Sequence, residues 1–278
     1  MTEAVPERTA MNPFYARGVT PKLTPTLTSM GDIRLVVQAD DLGMCRAVND
    51  GIALAKTDGI LTQTSVMAPT PWFAHGAAMA KRLGIVTGLH LTLTCDWQYY
   101  RWSPLTAGAS LRDPDGTFKS TVDDAKADDV DEAIAEGHAQ IHRAESLGLT
   151  LHYVDPHMGI SVVPAYEAAC KRLGVQFMYP GPKPHHVFDS IIYLSVQSRT
   201  DRAAWFAQHL EQLEPGTHMV QSHPALASDE LRAMEPEDSR IFFWTEPTRV
   251  PDLEALCAPE VRKVVESRGI ELISVAEL

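Results

Sequence analysis

Residues 33–59, "IRLVVQADDLGMCRAVNDGIALAKTDG", decide how the rest of the chain is read. The opening "IRLVVQA" is short, apolar and rich in β-branched side chains, the composition of a buried strand. "RAVNDGIALAKTDG" then reads as a helix closing at Gly59. Between the two stand Asp40 and Asp41. Adjacent carboxylates repel, and burying either without a partner is costly, so this junction needs partners from elsewhere in the chain.

The strand-then-helix unit recurs. "TQTSVMAP", "VTGLHLTL", "LHYVD", residues 175–178, "IIYLSV", "THMVQSH" and the closing "ELISV" read as strands. Amphipathic stretches separate them: "WFAHGAAMAKRLG", residues 128–148, residues 163–173, "DRAAWFAQHLEQL" and "PDLEALCAPEVRKVVES". Such alternation calls for parallel strands joined by helical crossovers. Seven or eight mostly parallel strands with no dividing linker predict an α/β fold with one barrel-like domain over residues 32–278. Residues 1–31 read as a loose arm that lacks the apolar centre of a signal peptide. No GxGxxG follows the first strand and no GxxxxGK[ST] occurs, which leaves nucleotide binding without support.

The composition is that of an ordinary globular protein, 45% hydrophobic and 22% charged. A formal net charge of −12 argues against nucleic acid or an anionic membrane as the main partner, and no apolar run approaches the roughly 18 residues of a membrane span. Cys45, Cys95, Cys170 and Cys257 are widely spaced, with no CxxC pair, and read as reduced thiols of a cytoplasmic protein.

In a parallel barrel the chemistry sits at the carboxyl ends of the strands. Those ends carry Asp40 and Asp41, then His90 in "GLHLTL", Asp155 and His157 in "VDPHMG", and His223 in "QSHPA". Each has a structural alternative, as helix cap, turn former or satisfied core histidine. Together they bring three imidazoles and three carboxylates to one rim. One carboxylate and two imidazoles form a common facial set for a divalent metal, which would let Asp41 stay ionised beside Asp40. His138 and His142 share the i, i+4 spacing of a zinc pair, but Ala139 stands in place of the glutamate and the surrounding charges mark a solvated face. In the long excursion over residues 94–127, "DWQYYRWSPL" offers Trp97, Tyr99, Tyr100 and Trp102 as sugar-stacking rings and Arg101 as a donor to hydroxyls; the alternative is a loop pinned to the rim by its own aromatics.

"ADDLGMCRAVNDGI", "GLHLTLT", "VDPHMG" and "SHPA" resemble, in order and spacing, the successive motifs of the YdjC-like carbohydrate deacetylases, a group that includes chitooligosaccharide and hopanoid-biosynthesis-associated deacetylases. The resemblance implies a distorted (β/α) barrel and removal of N-acetyl groups from amino sugars or short oligosaccharides by attack of metal-bound water on the amide. It implies that Asp41, His90 and His157 hold one divalent ion, zinc or magnesium before manganese, cobalt or nickel. Asp40 would be the general base, His223 the general acid, and Asp155 an accessory residue that orients a neighbour or contacts substrate. Gly159 departs from the pattern, standing where many members carry a second histidine. A barrel hydrolase for another amide or ester, and a non-catalytic carbohydrate-binding protein, are the alternatives. A homo-oligomer is left open.

Overall fold

The computed structural model describes residues 32–175, 178, 187–195, 201–235 and 244–278. The expected arm over 1–31, residues 176 and 177 of the expected strand at 175–178, and His185 and His186 lie outside the described residues.

Strand β1 (Ile33–Leu42) leads into α1 (Arg46–Thr57), β2 (Gln63–Val66), α2 (Phe73–Leu83) and β3 (Val86–Leu91). After the excursion, which holds only the short α3 (Val122–Ala125), come α4 (Val130–Ser146), β4 (Leu151–Pro156), α5 (Val163–Leu173) and β5 (Ser190–Tyr193). The chain closes with α6 (Arg202–Glu211), β6 (Gly216–Ser222), α7 (Asp229–Ala233), α8 (Glu246–Cys257), α9 (Pro259–Ser267) and β7 (Glu271–Ile273). One helix expected near the C-terminus is two: Ala258 is extended, at ψ 131, because the residue before Pro259 is pushed away from helical geometry.

All seven strands are parallel, in the order β4-β3-β2-β1-β6-β5, and among the described residues β4 and β5 do not pair. The α/β fold expected from the alternation is the one observed, as an incompletely closed barrel. β1 is its axis. It pairs along one side with β6, and along the other with β7 near its start and β2 near its end.

Side chains alternate across each strand, so every second residue faces inward. Low in the barrel Val36, Tyr153, Met219 and Ile273 pack together. One step up, at i+2, come Gln38 on β1, Asp155 on β4 and Gln221 on β6; a further step brings Asp40, His157 and His223. The outward residues, among them Leu35, Val37, Leu89 and Val154, join the larger core beneath the helices. The helix expected over 128–148 is α4, capped by Asp129, whose side chain accepts from the Asp131 and Glu132 amides. Buried Glu136 and Gln140 on α4 bind the Leu105, Thr106 and Thr92 backbone and tie the excursion down.

Gly88 on β3 has no side chain because the Tyr153 ring of β4 covers it; a Cβ would overlap the ring. Gly88→Ala is expected to cost about 2–3 kcal/mol by overpacking, read as a lowered urea midpoint. An unchanged midpoint would mean that the ring shifts freely.

Candidate metal centre and active site

A regular strand would send Asp40 and Asp41 to opposite faces. The pairing of β1 with β2 steps from Ala39↔Thr64 to Leu42↔Val66, three residues against two, so β1 carries one extra residue here. Asp41 takes up the irregularity with φ 71, a left-handed conformation that aspartate tolerates better than most residues. Both carboxyl groups therefore line one cleft, together with His90, His157, His223 and Arg249. Its enclosed space is about 10 Å³, the room of one water or ion.

Asp41, His90 and His157 each present one ligand atom, all within 4.8 Å of one another. Asp41 Oδ1 lies 3.3 Å from His90 Nε2 and 3.4 Å from His157 Nδ1. The far side of each ring is held by a carboxylate, which can only accept. His90 Nδ1 donates to Asp155 Oδ1 at 3.0 Å, and His157 Nε2 donates to Asp96 Oδ1 at 2.7 Å. In the neutral rings, the nitrogens facing Asp41 then carry lone pairs. Asp41 Oδ1 is buried and has no hydrogen-bond partner among the described residues. With both rings neutral, three lone pairs would converge on one point, which fits a cation, and the imidazole–carboxylate pairs behind them are the usual support of histidine ligands.

The charges agree with that fit. Burial acts to raise the Asp41 carboxyl, but the Arg249 guanidinium and the two imidazoles hold it well below the usual carboxylate range. Arg249 Nη2 donates to Asp41 Oδ2 at 2.6 Å. Burial opposes charge on His90 and on His157, yet Asp155 and Asp96 respectively raise both above the ordinary histidine value. So many carboxylates demand positive charge, as protons on the rings or as a metal ion. Two imidazoles and one carboxylate suit zinc, cobalt or nickel better than magnesium.

Asp40 is fully buried and receives Gln38 Nε2 at 2.7 Å, Ser65 Oγ at 3.2 Å and Gln221 Nε2 at 2.7 Å. Burial and the neighbouring Asp155 charge raise its carboxyl. His223 Nε2 lies 3.6 Å from Asp40 Oδ2, and its ring centre lies 4.2 Å from that of Trp244, the planes tilted by 39°. Burial lowers His223 to about 4, so in the free protein it is neutral near pH 7.

The structure thus brings together Asp40, Asp41, His90, Asp155, His157 and His223. Asp155 is wholly buried beneath His90, bonded to that ring and to Gln38. The aromatic loop differs from the stacking platform expected. Trp97 and Trp102 are 1% and 3% exposed, core residues with no open face, and Trp102 Nε1 donates to Thr94 O. Arg101 is spent on the loop itself, binding the Cys95, Trp97 and Phe118 carbonyls and Asp113. Tyr99 is 60% exposed but does not line the cleft. His138 and His142 form no metal-holding group among the described residues.

Sequence reasoning missed Asp96, Arg249, Gln38 and Gln221. The two glutamines had a signal: each is a polar residue two positions before a site residue in a buried strand, in "QADD" and "QSH". Arg249 had none, lying in a helix 208 residues from Asp41. Gly159 has φ 119, so a histidine there would be strained as the backbone stands.

The family model described as YdjC-like protein matches residues 34–267. Carbohydrate deacetylase 2 of Listeria innocua is 30% identical over 269 residues, covering 87% of this chain and 97% of its own length. A carbohydrate deacetylase of Thermus thermophilus is 31% identical over 262 residues, covering 83% of this chain and 89% of its own. An Enterococcus faecalis V583 protein described as a cellobiose-phosphate cleavage protein superposes with a TM-score of 0.75 at 21% identity, covering 89% of this chain and 99% of its own, a likeness of fold.

Arg101→Ala removes the hub of the excursion and is expected to lower stability by about 2–3 kcal/mol, with new protease cleavage within residues 94–121. A loop as resistant as in the parent protein would show that its aromatics suffice to hold it.

Proposed function

This chain belongs to the YdjC-like protein family, and on that premise we propose that it is a metal-dependent carbohydrate deacetylase, an amide hydrolase that releases acetate from N-acetylated amino sugars or short oligosaccharides. One observation carries the reading. Three potential ligand atoms, from Asp41, His90 and His157, converge beside a buried carboxylate, Asp40, that faces an imidazole, His223.

Asp41, His90 and His157 would hold the divalent ion, which supplies Lewis acidity, polarising the acyl carbonyl and making water easier to deprotonate. Asp40 acts as the general base. Its raised carboxyl is a better proton acceptor than an exposed aspartate, and three donors from Gln38, Ser65 and Gln221 fix its direction. It takes the proton of the attacking water as the new C–O bond forms. Arg249 keeps Asp41 ionised and in place, and Asp155 and Asp96 hold the two rings in the tautomers that face the ion. When the C–N bond breaks, the amine nitrogen needs a proton; the one that Asp40 took from the water passes to His223 Nε2, 3.6 Å from Asp40 Oδ2, which delivers it. The cleft floor is narrow and polar, which suits a small acyl group, while the sugar would lie toward its open mouth.

The test is acetate release from N-acetylglucosamine and its oligomers, with metal content measured on the same samples. Asp40→Asn is expected to lose more than about 10³-fold in turnover while retaining its metal, and His223→Ala to lose about 10²–10⁴-fold. Equal loss of metal in Asp40→Asn would overturn the division between base and ligands. Asp96→Ala is expected to weaken zinc binding by roughly 10–100-fold in a calorimetric titration, because His157 loses the carboxylate that orients it; unchanged affinity would mean the ring is held by other contacts.

A further inference from the structure

Behind His223 lies a second buried hydrogen-bond chain. Ser195, just past β5, places its Oγ 2.8 Å from His223 Nδ1. Ser195 Oγ also bonds Asp252 Oδ2 of α8, and the same carboxylate oxygen accepts the His223 backbone amide at 2.8 Å. The other oxygen, Oδ1, accepts Arg202 Nη1 of α6 at 2.6 Å. Arg202 donates in addition to the Thr248 carbonyl at 2.6 Å and to the Ser195 carbonyl at 3.3 Å. Ser195, Arg202, His223 and Asp252 are all buried.

Counting protons along this chain fixes its direction. Burial raises the Asp252 carboxyl, but Arg202 cannot lose its charge and needs an anion at that distance, so Asp252 is the acceptor. Serine has one hydroxyl proton, and it goes to Asp252. Toward His223, Ser195 Oγ then offers only a lone pair, which requires a hydrogen on Nδ1. The opposite nitrogen, Nε2, is left facing Asp40 and the cleft.

We propose that Ser195 and Asp252 are positioning residues that hold His223 as its Nδ1–H tautomer and so aim Nε2 at the departing amine nitrogen. This rests on the reading of His223 as general acid. When Nε2 has taken up the proton that Asp40 removed from the water, the ring has hydrogens on both nitrogens. The Nδ1–H still donates to Ser195, whose hydroxyl is polarised by the Asp252 carboxylate, so the buried imidazolium is stabilised without a proton moving along the chain. Transfer of the Nε2 proton to the amine as the C–N bond breaks returns the ring to its starting tautomer.

The experiment joins ¹⁵N spectroscopy of histidine-labelled protein, with His223 assigned by comparison with His223→Gln, to kinetics on two acetyl donors. The intact protein is expected to show His223 protonated at Nδ1 and bare at Nε2. In Ser195→Ala that preference is lost, and Ser195→Thr, which keeps a hydroxyl, restores it. On an N-acetyl amino sugar, Ser195→Ala is expected to lower kcat roughly 10–100-fold with KM nearly unchanged. On p-nitrophenyl acetate, whose leaving group needs no proton, the loss is expected to stay within about threefold. An Nε2–H tautomer in the intact protein, or equal loss on both donors, would overturn the proposal. Absence of acetate release from either donor by the intact protein would overturn the deacetylase reading and the amine as target, and the spectrum would still decide whether Ser195 and Asp252 fix the ring.

Discussion

The extra residue in β1 at Asp40–Asp41 is the constraint on which the centre depends. Without it one carboxylate would face the cleft and the other the helices, and the proposed metal ligand and the proposed base would not share one cleft. A left-handed residue costs of order 1–3 kcal/mol, and the surroundings offset that cost. Arg249 pairs with Asp41 Oδ2, and the Asn49 side chain accepts the Gly43 amide at 2.7 Å as the chain leaves the strand. Like charges at adjacent positions are tolerable here because Asp41 is matched by a guanidinium and two imidazoles, while Asp40 is matched by uncharged donors.

Below this junction the barrel interior is layered. An apolar floor of Val36, Tyr153 and Met219 carries a belt in which Gln38 reaches both Asp40 and Asp155, while Gln63 donates to Gln38 at 2.7 Å. The amides let buried carboxylates share donors without bringing more charge inside. The belt joins the proposed base and the proposed metal ligands mechanically, since Asp155, bonded to His90, is tied through Gln38 to Asp40. Packing, polarity and site position follow one two-residue rhythm along the strands.

That rhythm is why much of the fold and the centre was legible in the sequence. β-branched runs alternating with amphipathic ones can only be a parallel sheet with crossovers, and their carboxyl ends deliver Asp40, Asp41, His90, Asp155, His157 and His223. What could not be read depends on contacts between distant segments. The bulge leaves no mark in composition, and Arg249, Arg202 and Asp252 are helix residues whose burial arises only when α6 and α8 pack against the strand ends. "DWQYYRWSPL" misled because rings that fill a core and rings that stack on a sugar have the same composition. Only the burial of Trp97 and Trp102, and the loop carbonyls that Arg101 binds, separate the two.

The first strand is flanked by late ones: β6 begins its pairing with β1 at Ile33↔Gly216, and β7 at Arg34↔Glu271. On the ribosome, β1 therefore waits for nearly the whole polypeptide before its second edge is covered. Asp41 meets Arg249 at a separation of 208 residues, and Asp40 meets Gln221 at 181. Such non-local closure makes folding slow. It also means that a nascent chain holds Asp40 without Gln221 and Asp41 without Arg249, so the proposed ion site gains its full set of supports only late in synthesis.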